Sequence, residues 1–350
     1  MKKYIALSVL LIVIFFISST LYDAGVFKSI KNHSQLEDVR TYRNIYGPED
    51  LDVDMEKGLL FISSTDRWKL NAGIENEDGI YLLDLKKDSV PYRLATTLNK
   101  EFHPHGISYL HSNNEDYLFV VNHNRNGSTI ELFQFLNDTL FHIRSFEDEL
   151  LVSPNDLIAI DIGSFYVTID HGSDKGIMHT LEDYLRLPLS YLVYFDGKEY
   201  TKVYDGLNYA NGVNISPDGN ILYLTETTTG KLSVLERNKN TGALNLLFSK
   251  NLKTGLDNIT IDASGDLWLA AHPKLFDFVA HAKDSTHYSP SQMLKLHPIG
   301  NTDLIVSEIY MDDGSEFSGS STALYYNDQI FIGQVFDDKI IRGSYLEKKK

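Results

Sequence analysis

The sequence predicts an all-β fold, a six-bladed β-propeller preceded by an N-terminal hydrophobic helix. Three observations lead to this prediction: an uncharged apolar run near the N-terminus, short apolar runs separated by Gly, Asn and Asp, and a sequence pattern that recurs about every fifty residues. Repeats of roughly 40–50 residues that each carry several strands are typical of propeller blades. We expect residues 1–29 to form a signal anchor or signal peptide and residues 30–350 to form one propeller domain.

The N-terminal segment has the pattern of a signal sequence. Lys2 and Lys3 precede residues 4–22, and no further charge occurs until Asp23. The run is at the short limit for a transmembrane helix, which needs about 20 residues, and is longer than most signal-peptide cores. Since no A-x-A cleavage pattern follows, we favour an uncleaved signal anchor over a cleaved signal peptide or a buried helix. The first two alternatives place the rest of the chain outside the cytoplasm, because the lysines stay inside.

Composition excludes several functional classes. The chain has 350 residues, a formal net charge of −16 and no cysteine. Nucleic acid binding needs stripes of Lys and Arg and is therefore not expected. Thiolate catalysis, iron–sulfur clusters, cysteine zinc sites and disulfides are excluded, whereas an acidic chain is compatible with binding a hard cation.

Beyond residue 45, each repeat consists of a polar tip, a short strand, a turn and a second apolar strand. Five copies are clear and the sixth, STALYYNDQIFIGQV at 321–335, is degenerate; together they predict six blades in one domain. The polar tips are Glu49–Asp50, His105, Asn155–Asp156, Asn211 and Asp257–Asn258, with a sixth near residue 321. SPDGN (216–220) and DASGD (262–266) are interpreted as hairpin turns, because each lies between two strands and lacks a twelve-residue calcium loop. Residues 178–187, MHTLEDYLRL, are the best candidate for an amphipathic helix.

The tips should converge, because equivalent residues of a propeller repeat lie at similar heights around one axis. Apart from His105, they carry carboxylate or amide oxygens, which are the ligands of a hard cation such as Ca²⁺. Adjacent strand residues point in opposite directions, so Asp50 and Asp156 could serve a second, deeper ion. Each pair of adjacent tip residues, or doublet, has an alternative interpretation: Asn and Asp are also common at turns that lead into strands.

The chain carries, in this order, the segments GPEDLDVD, FHPHGIS, VVNH, NDLIAI, ANGVNISPDG, LDNITID and GDLWLAAHP. With these motifs it resembles the serum paraoxonase/arylesterase family from about residue 45 to about residue 337. The resemblance implies a six-bladed propeller with two calcium ions in its central tunnel, and hydrolysis of lactones and aryl esters.

The same resemblance implies particular site residues. The catalytic calcium ion would be held by Glu49, Asn155, Asn211, Asp257 and Asn258. The deeper, structural calcium ion would be held by Asp50, Asp156 and the backbone carbonyl of Ile107. The catalytic histidine pair would be His105 and His123, with His272 near the same pocket. Animal members of the family join the first and last blades by a disulfide; because this chain has no cysteine, ring closure should depend on strand pairing alone.

A water molecule is the expected nucleophile. Neither a G-x-S-x-G elbow nor a cysteine is present, so covalent catalysis has no obvious candidate residue. The hypothesis is that His105 removes a proton from the attacking water, that His123 orients His105, and that Ca²⁺ stabilises the oxyanion of a small ester or lactone. Two hydrogen-bonded histidines that merely close strand ends are the structural alternative for this pair.

Two other functions stay open. One is a sugar lactonase of the gluconolactonase type, which also uses an axial divalent ion. The other is a non-catalytic propeller that binds a partner and is stabilised by calcium, since fold alone does not determine function. A polar pocket would favour sugar lactones, and an apolar pocket would favour acyl lactones and phenyl esters. The membrane is the other expected partner, through the N-terminal segment, while the natural substrate and the oligomeric state are left open.

Overall fold

The computed structural model describes residues 2–87, 89–125 and 127–346. The N-terminal region and the first blade contain the elements α1 (Lys2–Asp23), β1 (His33–Ser34), β2 (Glu37–Arg43), β3 (Pro48–Asp54), β4 (Leu59–Ser64), α2 (Arg67–Asn71), β5 (Gly79–Asp84) and β6 (Tyr92–Arg93). The second and third blades contain β7 (Ala95–Thr96), β8 (Pro104–Ser112), β9 (Glu115–Asn124), β10 (Gly127–Leu136), β11 (Thr139–Phe146), β12 (Pro154–Asp161), β13 (Ser164–Ile169), α3 (Ile177–Leu185), β14 (Ser190–Phe195) and β15 (Tyr200–Leu207).

The last three blades complete the chain. They contain β16 (Ala210–Ile215), β17 (Ile221–Glu226), β18 (Lys231–Arg237), β19 (Leu244–Asn251), β20 (Gly255–Ile261), β21 (Leu267–His272), α4 (Leu275–Lys283), β22 (Ser291–Ile299), β23 (Asp303–Asp312), β24 (Ser320–Tyr326), β25 (Gln329–Gln334) and β26 (Lys339–Ser344). The described strands form six sheets of four or five strands, in which neighbouring strands are antiparallel except for the short parallel pair β7 and β11. The innermost strands β3, β8, β12, β16, β20 and β24 contact one another in this order, and β24 contacts β3. The six-bladed propeller predicted from the repeats is therefore confirmed.

The core lies between neighbouring blades because each strand presents alternate side chains to the two faces of its sheet. Between the second and third blades, for example, Phe119 of β9 packs against Phe165 of β13 with ring centroids 5.9 Å apart. Both rings are fully buried, together with Phe146 and Phe195 of the same cluster. This packing holds adjacent innermost strands at a constant spacing around the axis.

The ring is closed by strand pairing, as expected for a chain without cysteine. The N-terminal strand β2 pairs antiparallel with β26, and Thr41 lies opposite Ile341. The sixth blade therefore contains strands from both ends of the chain. Unpaired edges of β-sheets are prone to aggregation, and this closure pairs one edge of β26 with β2.

α1 is exposed over residues 2–18, and its C-terminal end contacts the propeller domain. It is 22 residues long with a mean hydropathy of 2.5 over its most apolar stretch, and none of its residues is buried. It is thus long and apolar enough to cross a membrane, and the alternative of a buried helix is wrong. α3 begins one residue before the segment predicted to be helical, 178–187, and ends within it. α4 was not predicted, because neither its N-cap residue Lys274 nor its short length gives a strong helix signal.

Candidate active site

Each innermost strand is interrupted at the same point. The pairing register with the second strand of the blade shifts between Pro48 and Leu51, Pro104 and Ile107, Pro154 and Leu157, Ala210 and Val213, Leu256 and Ile259, and Ser320 and Thr322. Such bulges leave residues unpaired and redirect their side chains. The polar tips of the repeats lie within these bulges, which explains why both members of a doublet can serve the same region of the tunnel.

Two glycines allow the innermost strands to approach closely. A Cβ atom on Gly106 would lie 2.6 Å from the Cα atom of Asp156, and one on Gly212 would lie 2.7 Å from the carbonyl oxygen of Asp257. Contacts this short are not tolerated, so only glycine fits at these two positions. The strands that carry the polar tips are consequently packed against each other on the axis.

Three asparagines of the tips use their amide nitrogens to donate hydrogen bonds to neighbouring side chains. Asn258 Nδ2 donates to Glu49 Oε1 over 2.9 Å, and Asn211 Nδ2 donates to Thr227 Oγ1 over 3.0 Å. Asn155 Nδ2 donates to Oδ2 of Asp170, the residue that follows β13, over 3.2 Å. The amide oxygen of each of these residues takes no part in these hydrogen bonds.

Four buried oxygen atoms at this level accept no hydrogen bond from any described residue. They are Glu49 Oε2, Asn155 Oδ1, Asn211 Oδ1 and Asn258 Oδ1. A buried acceptor without a partner costs about 1–3 kcal/mol, so four such oxygens at one place fit a bound cation. Carboxylate and amide oxygens without sulfur or imidazole fit Ca²⁺.

Two carboxylates lie one step deeper in the tunnel. Asp50 Oδ2 accepts from the backbone N–H of Ile107, and Asp156 Oδ2 accepts from that of Val213, both over 2.8 Å. Burial, with repulsion from Asp156 and Glu49, raises the pKa of Asp50 well above its usual range. Burial also raises the pKa of Asp156 although backbone N–H donors oppose the shift. Two buried carboxylates that repel each other fit a second cation. Ile107, expected here through its carbonyl, contacts Asp50 through its N–H.

The two histidines of the predicted pair are in direct contact. His105 Nδ1 lies 2.9 Å from His123 Nε2, and His123 Nδ1 lies 2.8 Å from Ser128 Oγ. The other nitrogen of His105, Nε2, lies 3.5 Å from Glu49 Oε2 at the oxygen cluster. Burial, and to a smaller degree the charge of His105, lowers the pKa of His123 to about 3. His123 is therefore neutral near pH 7 and can accept a hydrogen bond from His105.

His272 lies behind the oxygen cluster. Its Nε2 is 2.8 Å from Asp257 Oδ2, and the ring stacks on Phe278 with centroids 3.9 Å apart. Burial raises the pKa of Asp257, and the hydrogen bond from His272 partly offsets this. The structure thus brings all the predicted side chains to one region of the tunnel, with His272 in contact with a predicted ligand.

Sequence reasoning missed two charged residues of the site. Arg67 of α2 places Nη2 4.0 Å from Glu49 Oε2, and its charge together with that of His105 outweighs burial and lowers the pKa of Glu49. Asp170 accepts the hydrogen bond from Asn155 and also contacts its neighbour His171. Asp170 could have been found, because it directly follows the second strand of its blade, β13, just as His123 of VVNH lies near the end of the second strand of its own blade, β9. Arg67 lies outside the repeat and carries no such signal.

A cavity of about 480 Å³ lies above the oxygen cluster. Its floor includes Glu49 and His105, and one wall is apolar, formed by Phe276, Phe278 and Val279 of α4. Tyr209 also lines it, with φ at 57°, a left-handed conformation that is rare for an aromatic residue. Such strain is concentrated at functional sites, which marks this position as one that the site constrains.

Fold and site together define the protein as a propeller hydrolase, with a cluster of buried oxygen atoms and a histidine pair at the base of a cavity that has an apolar wall. Residues 46–342 match the family model described as arylesterase. The chain belongs to the arylesterase family, which confirms the membership expected from the motifs. Human serum paraoxonase/arylesterase 1 is 36% identical over 304 residues, which cover 83% of this chain and 84% of that protein. Rat serum paraoxonase/arylesterase 2 is 34% identical over 306 residues, with the same two coverages.

Solved structures of lower identity share the fold. Regucalcin from Agrobacterium tumefaciens, described as a calcium-binding protein, superposes with a TM-score of 0.54 at 13% identity, covering 90% of this chain and 93% of that one. A gluconolactonase from Xanthomonas campestris superposes with a TM-score of 0.53 at 14% identity and the same coverages. At this level of identity the similarity concerns the propeller architecture alone.

Proposed function

We propose that the protein is a calcium-dependent hydrolase of aryl esters and lactones. The observation that carries this proposal is the group of unpaired, buried oxygens next to His105 Nε2, at the floor of an apolar cavity. Family membership supports the same conclusion, because the relatives are named paraoxonases and arylesterases. Neither a binding platform nor a purely structural ion needs a histidine pair at this position.

Two calcium sites are part of the proposal. The upper ion would be held by Glu49, Asn155, Asn211, Asp257 and Asn258, and the deeper one by Asp50, Asp156 and Ile107. When bound in the upper site, Ca²⁺ supplies a Lewis acid for a carbonyl oxygen that gains negative charge. The unpaired oxygens support the upper site and the repelling carboxylates support the deeper one.

The histidine pair would move the proton. His105 Nε2 faces the cavity floor and accepts a proton from the attacking water, while its Nδ1–H donates to His123 Nε2. For this, neutral His123 must carry its own proton on Nδ1, where it can donate to Ser128 Oγ. His123 thus orients His105 and stabilises its protonated form, as a carboxylate does in a hydrolytic triad. His272 would act by holding Asp257 in place.

The apolar wall of the cavity favours lipophilic substrates. Phe276, Phe278 and Val279 lie opposite the polar floor, and Phe336 packs against Phe278 with ring centroids 5.7 Å apart. An acyl chain or a phenyl ring gains free energy from such a surface, whereas the hydroxyl groups of a sugar lactone would lose hydrogen bonds to water there. This is the specific observation against a gluconolactonase activity.

A substrate panel tests the proposed function. We expect the purified full-length protein to hydrolyse phenyl acetate and a long-chain acyl lactone in Ca²⁺, and to lose both activities after chelation. With gluconolactone we expect a kcat/KM at least about tenfold lower, because each unpaired polar group in an apolar pocket costs about 1–3 kcal/mol. Equal or faster turnover of gluconolactone would support the sugar-lactonase alternative, and no turnover of any substrate would support a binding platform.

We further propose that α1 stays attached as an uncleaved signal anchor and that residues 30–350 form an extracytoplasmic hydrolase domain. Support comes from contacts between the end of α1 and the cavity. Arg186 Nη1 lies 2.7 Å from Asp23 Oδ2, and the N–H of Leu275 donates to the carbonyl of Ala24 over 3.0 Å. Ala24 and Thr20 also line the cavity. A cleaved segment could not make these contacts.

Intact-mass measurement of protein from the membrane fraction tests the anchor. We expect the full mass of 39.8 kDa, and retention in the membrane pellet after an alkaline carbonate wash. A chain with α1 replaced by a cleavable signal peptide is the matched control and should be released into the soluble fraction. A native chain that lacks its first residues, or that the wash releases, would contradict the proposal.

A further inference from the structure

A second cluster of metal-ligating side chains lies at the rim of the cavity, outside the oxygen cluster. It consists of His171, His179 and Asp183, whose donor atoms lie within 4.8 Å of one another. His171 follows β13, while His179 and Asp183 are four residues apart on α3 and therefore lie on one face of that helix. Asp183 also lines the cavity. The cluster is thus built by two elements that meet at the mouth.

The proposed mechanism makes no use of these three side chains. His171 is buried, and its ring packs edge-on against Tyr209 with centroids 4.9 Å apart. The His179 ring stacks on the His171 ring, with centroids 3.5 Å apart and an interplanar angle of 16°. Within residues 2–87, 89–125 and 127–346, neither ring nitrogen of His179 has a hydrogen-bond partner. Two imidazole rings and a carboxylate therefore lie close together, with atoms that could bind a metal ion.

The arrangement around His171 is that of a metal ligand with an orienting partner. Its Nδ1 lies 2.8 Å from Asp170 Oδ1, and its Nε2 lies 3.1 Å from Asp183 Oδ1. Metal-bound histidines usually direct their second nitrogen to a carboxylate, which sets the ring orientation and the tautomer. Asp170 is itself held, because its N–H donates to Ser153 over 3.0 Å and its Oδ2 accepts from Asn155.

The position of α3 is also fixed. Glu182, adjacent to Asp183, is buried and accepts hydrogen bonds from Gly172 N–H over 2.7 Å and from Ser173 Oγ. These bonds join the helix to the residues that directly follow His171. The distance between the histidine of the strand and the two ligands of the helix is therefore set before any ion binds, which lowers the entropic cost of binding.

We propose that His171, His179 and Asp183 form a binding site for a borderline divalent transition-metal ion such as Zn²⁺, separate from the oxygen-lined tunnel. Two imidazole nitrogens and one carboxylate are a ligand set for zinc and its neighbours, whereas Ca²⁺ prefers oxygen alone. Three protein ligands leave a fourth position of a tetrahedral ion for water or another small ligand. The side chain of Asp183 is 38% exposed, so this position would be open to the cavity mouth. In the metal-free protein a protonated His171 ring can donate from Nδ1 to Asp170 and from Nε2 to Asp183, and the ion would replace the proton on Nε2.

Metal titration of the full-length protein in saturating Ca²⁺ tests this proposal without reference to esterase activity. We expect one Zn²⁺ per chain by calorimetry and, with Co²⁺ as the probe, visible absorption bands of a nitrogen-ligated ion. H179Q and D183N should each weaken binding at least about tenfold, since even loss of an orienting partner costs about 10–100-fold in metal affinity. Melting curves in Ca²⁺ would verify that both variants fold.

H111Q is the matched control. His111 is exposed and lies 2.8 Å from Asp116 Oδ1, so it is also a histidine–aspartate pair but is not part of the cluster. Binding should be unchanged in H111Q. Unchanged binding in H179Q, the absence of saturable binding, or displacement of Zn²⁺ by excess Ca²⁺ would each overturn the proposal, the last because it would place the ion in the tunnel.

Discussion

Removing Ca²⁺ with a chelator should abolish esterase activity and lower the free energy of unfolding by about 3–5 kcal/mol, the typical cost of leaving a buried charge without its partner. The expected loss of stability arises in the tunnel, where the carboxylates of Asp50, Asp156 and Glu49 are buried. Without a cation their charges repel each other, and the unpaired oxygens of Asn155 and Asn211 lose their ligand. The innermost strands carry these residues, so the whole ring should be weakened.

The stability of the metal-free protein should also depend on pH, and it should fall as the pH rises. Because the folded-state pKa values of Asp50 and Asp156 lie above the usual value of 3.8, the folded chain holds more protons than the unfolded chain between the two values. Stability from these groups is present in full below about pH 3.8 and is lost as pH rises through the raised pKa values. Each extra proton bound by the folded chain changes the slope of the unfolding free energy against pH by about 1.4 kcal/mol per pH unit. We therefore expect the chelated protein to be more stable near pH 5 than near pH 8.

Thermal unfolding from pH 5 to pH 8, with and without Ca²⁺, measures this effect. With Ca²⁺ the trend should be reversed, because protons compete with the ion for the same oxygens. D50N should flatten the pH dependence of the chelated protein, whereas D205N, at an exposed position, should leave it unchanged. If chelation leaves the melting temperature unaltered at every pH, the structural ion is not part of this protein.

Replacing His105 by glutamine should lower kcat for phenyl acetate at least about a hundredfold, since a positioned general base contributes about 10²–10⁴-fold. His105 is the imidazole whose Nε2 faces the cavity floor, and glutamine cannot accept a proton there. H123Q should have a smaller effect on kcat, because His123 acts through its 2.9 Å contact with His105 rather than on the substrate. Both variants should melt close to the wild-type temperature in Ca²⁺.

Steady-state kinetics of the two variants in saturating Ca²⁺ provides the measurement, with H111Q again as the control for a histidine outside the tunnel. The pH dependence of kcat/KM separates the two roles. Loss of His105 should remove the rise in rate that reports the pKa of the general base, whereas loss of His123 should shift that rise to another pH. Retention of most of the activity in H105Q would show that another group, or metal-bound water alone, activates the nucleophile.

Much of the site could be predicted because it is carried by the repeat. Glu49, Asn155 and Asn211 occupy equivalent positions in three blades, and the propeller places equivalent positions at one height. Arg67 and the apolar residues of α4 could not be predicted, since they lie in insertions between the second and third strands of their blades, outside the repeated sequence pattern. The cluster of His171 and His179 was missed for a related reason: its two parts meet only because α3 folds back over the end of β13.

The amino-acid sequence alone determined the number of blades, the apolar N-terminal helix, the family and the set of oxygen donors. These follow from residue type and regular spacing, which are local patterns that do not depend on contacts between distant segments. Only the tertiary structure decided which atom of each amide is left without a hydrogen bond, how the ring closes through β2 and β26, and which side chains form the wall and rim of the cavity. Those features depend on hydrogen bonds and packing between segments distant in the chain, and such contacts have no signature in a single stretch of sequence.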